Sequence, residues 1–116
     1  PDYGRPYHFQ KSWIKRGLKT EPANLRIMHV EGDSMSPTLS GGDVVLVDTS
    51  RRSPTPPGIF VLYDGMGLVA KRLEYIPNSD PPKVRIVSDN AHYPPYERLI
   101  DETNIVGRIR WFAREI

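Results

Sequence analysis

A serine hydroxyl becomes a nucleophile only when a base takes its proton. Residues 32–39 read GDSMSPTL and place Ser34 between small or polar neighbours, directly after an apolar stretch. Ser36-Pro37 follows, a serine suited to an N-cap with proline in the first helical position. The pattern presents Ser34 on a sharp strand-to-turn transition. Backbone N–H groups left unpaired in that turn would form an oxyanion site beside the hydroxyl. Taken alone, the same residues also suit an ordinary turn serine.

The chain has three histidines, His8, His29 and His92. None stands in a triad context, and all three read as ordinary surface or loop residues. Lys71 is the better base. In residues 68–76, LVAKRLEYI, alternation puts Val69, Lys71, Leu73 and Tyr75 on one face. Leu68, Ala70, Arg72 and Glu74 share the other. A lysine among apolar neighbours loses hydration of its charged form, so its pKa falls and the free amine becomes available. A lysine that snorkels along an apolar surface to water fits the same pattern.

These residues need short strands to carry them. Twelve prolines and nine glycines suit strands joined by turns better than long helices. Residues 1–8 read as an irregular lead-in. The spacing of Phe9, Trp13 and Ile14 predicts a short helix over residues 9–16, stopped by Gly17. Residues 20–25 add one further turn, with Pro22 near its start. Strands are predicted over residues 26–30, 43–48, 59–63, 68–76, 83–87 and 105–112. Asp64-Gly65 marks a hairpin between the third and fourth. The last alternates with Ile105, Ile109 and Trp111 on one face around Gly107. Residues 50–57 (SRRSPTPP) and the Pro-rich residues 90–97 read as loops. The fold class is therefore mainly β with one or two short N-terminal helices.

The 116 residues suit one domain. Residues 1–25 form the lead-in and 26–116 the main body. With no cysteine, disulfides and thiolate metal sites are excluded. No cofactor and no metal are expected. No apolar run approaches the roughly 18 residues of a membrane span, and the polar, basic N-terminus is no signal peptide. A cytoplasmic protein without membrane contact is expected. Net charge is only +2. The early basic residues Arg5, Lys11, Lys15, Arg16 and Lys19 read as a solvated helix face. No zinc-finger spacing, helix-turn-helix pair or RNA-binding aromatic motif is visible.

GDSMSPTL, followed 37 positions after Ser34 by Lys71 within VAKRL, resembles the serine–lysine signature of the LexA, UmuD and phage-repressor peptidases. GGDVVLVD resembles the family's next strand. Residues 88–90 (SDN), the PPY of residues 94–96 and VGRIRW of residues 106–111 resemble its C-terminal half. The likeness runs from about Arg26 to the end. It implies a β fold like that of LexA and the signal peptidases. It further implies Ser34 as nucleophile, Lys71 as general base, and the Asp33 and Ser34 N–H groups as oxyanion site. Met35 and Val69 would line the cleft. Family members cut a segment of their own chain, with RecA filaments as the usual trigger, and so part a DNA-binding head from a homodimerising domain.

Two departures stand beside the likeness. The family's bond is Ala-Gly or Cys-Gly, and neither dipeptide occurs here. No DNA-binding head is present either, so the chain is expected to be a fragment that reaches DNA only through that head. Two further readings share the motifs: a module that keeps Ser34 and Lys71 without cutting, and a UmuD-like accessory protein. A type I signal peptidase shares the SMSPT box, but it needs a membrane anchor.

Overall fold

The computed structural model describes residues 9–116, and the expected irregular stretch of residues 1–8, with His8 and Arg5, lies outside them. Seven strands form one antiparallel sheet in the order β1-β2-β7-β3-β4-β5-β6. They are β1 (Leu25–His29), β2 (Val44–Asp48), β3 (Gly58–Tyr63), β4 (Leu68–Tyr75), β5 (Lys83–Val87), β6 (Tyr96–Leu99) and β7 (Asn104–Ala113). The mainly β expectation holds.

Alternation along β3 explains where the core lies. Phe60 and Leu62 pack with Leu73, Val84, Ile86 and Ile105 on one face. Ile59 and Val61 point the other way, into a second cluster with Met35, Leu39, Val45 and Val47. A central strand covered on both faces has no solvent side, which is why FVL is a continuous apolar run. β2 is the same case, with all five residues buried. Its Val45 and Val47 join the second cluster. Leu46 lies opposite Trp111, whose ring meets Phe9 edge-on at 5.2 Å and lies 6.5 Å from Trp13.

Four local expectations are corrected. First, the helix does not stop at Gly17. One α-turn, Lys11–Trp13 (α1), loosens into a π-turn, Ile14–Leu18, and Lys19 takes the left-handed conformation at φ 55°. The wider turn closes from Lys19 N–H to Ile14 C=O, moving the stop two residues on. Gly17 instead leaves room for Trp13, whose indole lies 3.1 Å from where a Cβ would stand. Second, residues 34–38 form turns and no helix follows Ser36. Third, the second Pro-rich loop ends early, since Tyr96 and Glu97 belong to β6 and pair with Ile86 and Arg85. An edge strand has one partner and mostly exposed side chains, so it carries no apolar alternation.

Fourth, β7 does not keep one apolar face. Register shifts fall opposite Val61/Leu62 and Leu46/Val47. Each inserts one extra residue in β7 and turns the following side chains over. Ile105 therefore faces the first cluster, Ile109 the second, and Trp111 the aromatic group on the Leu46 side. Gly107 is required where β7 crosses β2, because a Cβ would stand 2.5 Å from the Asp48 carbonyl oxygen.

Buried carboxylates flank β2 at both ends, Asp43 and Asp48. Arg114 reaches Asp43 with two bonds of 2.9 and 2.7 Å, and Ser40 N–H adds a third at 2.8 Å. The Arg114 guanidinium holds the Asp43 carboxyl below the ordinary range. Arg114→Ala should destabilise the fold, because it strips a buried carboxylate of its charged donor, and the arginine's exposure to solvent keeps that loss modest. A depressed carboxylate contributes stability above its unfolded pKa and loses it as pH falls through the folded one. Denaturant melts should thus show the variant's deficit in full above about pH 5 and shrinking below about pH 4.

Candidate active site

Ser34 follows β1 across a short tether. Val30 N–H donates to Asp43 C=O at 2.8 Å and Gly42 N–H to Val30 C=O at 2.8 Å. Gly32 then takes φ +77°, a conformation that favours glycine. Ser36 N–H closes the turn on Asp33 C=O, and Leu39 N–H bonds Met35 C=O. Met35 and Leu39 are each 2% exposed and plug the turn into the second core cluster. Ser34 is left half-buried between them and solvent. Among the described residues, the N–H groups of Asp33 and Ser34 donate to no partner.

Ser34 opens on a cleft. Met28, His29, Val30 and Glu31 form one wall, and Leu68, Val69 and Ala70 the other, with Met35, Val45 and Val61 beneath. The structure thus places Met35 and Val69 in the cleft lining. His29 differs from its expectation: it is a partly buried strand residue on the cleft wall. The alternation of β1 sets that position, and a lone histidine carries no sign of it. His92 is exposed.

Lys71 lies opposite Phe60 in the β3–β4 register, on the face of Val69 and Leu73. Burial pulls its amine below the ordinary lysine range, opposed by the more distant charge of Asp64. Its Nζ donates to Ser88 Oγ at 2.9 Å and stands 5.7 Å from the centre of the Tyr93 ring. No hydrogen bond joins Ser34 to Lys71 among the described residues. The partner is a neutral hydroxyl, which accepts from an ammonium and from an amine alike. A carboxylate there would hold the lysine charged.

Residues 88–90 draw the serine turn and β4 together. Ser88, 9% exposed, takes the lysine. Asp89 receives two bonds of 2.8 Å from Arg72, next to Lys71, and one from Thr38 Oγ1 beyond Ser34. Asp89 N–H also points at Met35 Sδ, 3.4 Å away. Asn90 donates from its backbone to Ser34 C=O and from its side chain to Asp33 C=O, both at 3.0 Å. Tyr93 Oη donates to Asp33 Oδ1 at 2.6 Å. Arg72 holds the Asp89 carboxyl below its ordinary range, and Asp89 in turn raises Arg72. Sequence reasoning gave Ser88, Asp89 and Tyr93 no role. The only signal was the SDN triplet itself, whose partners lie far away in the chain.

Among the described residues, no three His, Cys, Asp or Glu side chains gather as a metal site. Among the same residues, no helix is long and apolar enough to cross a membrane.

The mainly β fold, with Ser34 at the edge of a cleft, is that of a peptidase-like family, and the chain belongs to the Peptidase S24-like family, whose model matches residues 2–110. A curated relative is the 26 kDa repressor protein of Escherichia phage HK022, 34% identical over 70 residues. The match takes in 60% of this chain and 28% of that repressor's length.

The half-buried lysine gives a titration test. NMR of Lys71 should place its midpoint below the ~10.4 of an exposed lysine. The folded state then binds fewer protons than the unfolded one between the two pKa values, so stability rises with pH across that window. Lys71→Met should flatten that rise in denaturant melts run across it. A midpoint at the exposed value would remove the basis for a neutral amine.

Proposed function

We propose that this domain hydrolyses a peptide bond with Ser34 as nucleophile and Lys71 as general base, as the regulatory portion of a phage-type repressor. The observation that carries it is the Lys71 amine. It is half-buried, bonded to a hydroxyl and not to a carboxylate, on the strand that forms one wall of the cleft Ser34 opens on. In this reading the neutral amine leaves Ser88 far enough to accept the Ser34 proton as Oγ attacks the carbonyl carbon. The tetrahedral oxyanion lies against the Asp33 and Ser34 N–H groups. The lysine ammonium then hands its proton to the leaving amine. Water, deprotonated by the same lysine, releases the acyl group from Ser34. Ser88 keeps Nζ in place between these steps.

The likeness to a repressor and the short span matched within it support a longer protein, in which a DNA-binding head precedes this domain. Cleavage between the two would end repression by removing the tether that raises the second head's effective concentration at its half-site. A RecA filament is the proposed trigger. The apolar wall of Leu68, Val69 and Ala70, with Met35, Val45 and Val61 beneath, suits an extended segment with small apolar side chains, as an Ala-Gly bond supplies.

Incubation with a peptide carrying an Ala-Gly bond tests the chemistry. Hydrolysis should rise with pH through the Lys71 titration. Ser34→Ala and Lys71→Ala should each lower it by at least about 10³-fold while the fold persists. Near-wild-type cleavage by either variant excludes the dyad. Silence of the wild type at every pH favours the regulatory module that keeps the two residues without cutting.

Homodimerisation is the second part of the proposal. Phe112 is 45% exposed near the end of β7, and Ile116 is wholly exposed. Large apolar groups left in water at one end of the sheet favour a second copy. Sedimentation at micromolar concentration should show a dimer that Phe112→Arg shifts toward monomer. A wild type that stays monomeric would refute it.

A further inference from the structure

Away from the cleft, the loop after β2 builds a second charged feature. Residues 50–57 fold back on β7, so that Arg51 and Arg52 stand with Arg108 and Arg110 around an open pocket, with Ser53 and Thr55 among its walls. The buried Asp48 carboxylate is shared by Arg51 and Arg110, each at 3.4 Å. Arg52 donates to Thr49 C=O at 2.9 Å. Arg108 donates to the carbonyls of Pro56 and Pro57. Neither Arg52 nor Arg108 has a carboxylate partner among the described residues. Four guanidiniums against one carboxylate leave an excess of three positive charges in one pocket.

Arg108 is held in place by its surroundings. Its guanidinium lies 4.5 Å over the Phe60 ring. Gly58 makes room for it, since a Cβ there would collide with Nη1. Burial, and then repulsion from Arg110 and Arg51, pulls Arg108 below the ordinary guanidinium range. Holding like charges together in this way opposes folding, and a bound anion reverses the sign of that interaction.

We propose that this pocket binds the phosphate groups of a nucleic-acid backbone without reading base sequence. The fork of a guanidinium matches phosphate oxygens two at a time. Arg51 and Arg52 are exposed and the pocket is open, so one small anion would meet few donors while still hydrated. A polyanion engages several guanidiniums at once and releases its condensed counterions. The described residues include no helix long enough to read a groove, so the contact is to backbone alone. The inference does not depend on the peptidase reading, because none of the four arginines lines the cleft.

Fluorescence anisotropy with a labelled duplex, titrated at several salt concentrations, tests it. Two unrelated duplex sequences should bind alike, with log K falling by about 0.9 per log unit of salt for each phosphate held. Arg52→Ala should reduce that slope by about one and weaken binding roughly three- to tenfold at low salt. Arg108→Lys keeps the charge but loses the fork and should weaken binding as well. Lys83→Ala, on β5, should change neither quantity. Arg52 is exposed and its one side-chain hydrogen bond among the described residues is to a backbone carbonyl, so its variant keeps the fold even if the Arg108 variant does not. Any of three results overturns the proposal: no duplex binding at low salt, binding indifferent to Arg52→Ala, or inorganic phosphate or polyglutamate binding as tightly as the duplex.

Discussion

One carboxylate, Asp89, holds the two halves of the candidate site together. It takes a two-pronged bond from Arg72 on β4 and a hydroxyl bond from Thr38 on the serine turn. Those two segments are far apart in sequence and share no ladder. Among the described residues, Asp89 is the one side chain that bonds both segments directly, and the packing of Met35 and Leu39 beneath the turn adds to it. The residues on either side of Asp89 use the same anchorage. Ser88 meets Lys71 and Asn90 meets the backbone of Asp33 and Ser34. A nucleophile and a base must be placed to within a fraction of an ångström, and a charged, bidentate pair is a stiffer fastening than apolar contact.

Charge distribution follows a consistent division between cleft and rim. At Lys71 the partner is a hydroxyl among apolar side chains. Where rigidity is needed, arginine meets aspartate: Arg72 with Asp89, Arg114 with Asp43, Arg110 with Asp48. One of these arginines, Arg110, lies in β7 and another, Arg114, just past its end, and their carboxylates flank β2. The ion pairs thus cap the ladder between these neighbouring strands at both ends. The arginine excess in the loop after β2 departs from this division, since half of its charges meet no carboxylate.

The two bulges in β7 serve the same economy of space. β7 lies between β2 and β3 and must supply side chains to three different environments. A regular strand supplies two faces. Each inserted residue reverses the alternation, so Ile105, Ile109 and Trp111 serve one environment apiece.

Much of the architecture was written in local patterns. The apolar runs of β2 and β3, the alternation of β4 and the GDSMSPTL turn follow from side-chain period and turn chemistry, which depend on near neighbours in the chain. Hence Ser34 and Lys71 could be picked out as candidates from turn chemistry and alternation, their roles coming only from the family resemblance, and the face shared by Lys71, Val69 and Leu73 from period two. What tertiary structure decided was every feature that needs a distant partner. Strand β6 exists because β5 offers it an edge, and its own residues carry no signal. The bulges of β7 arise from the conflicting demands of β2 and β3. Ser88, Asp89 and Tyr93 acquire roles only once residues 33–38 and 71–72 are brought beside them. The arginine pocket likewise joins residues 51–52 to 108–110, two segments whose adjacency is set by the fold, since hydrogen bonds and charges act through space over a few ångströms and not along the chain.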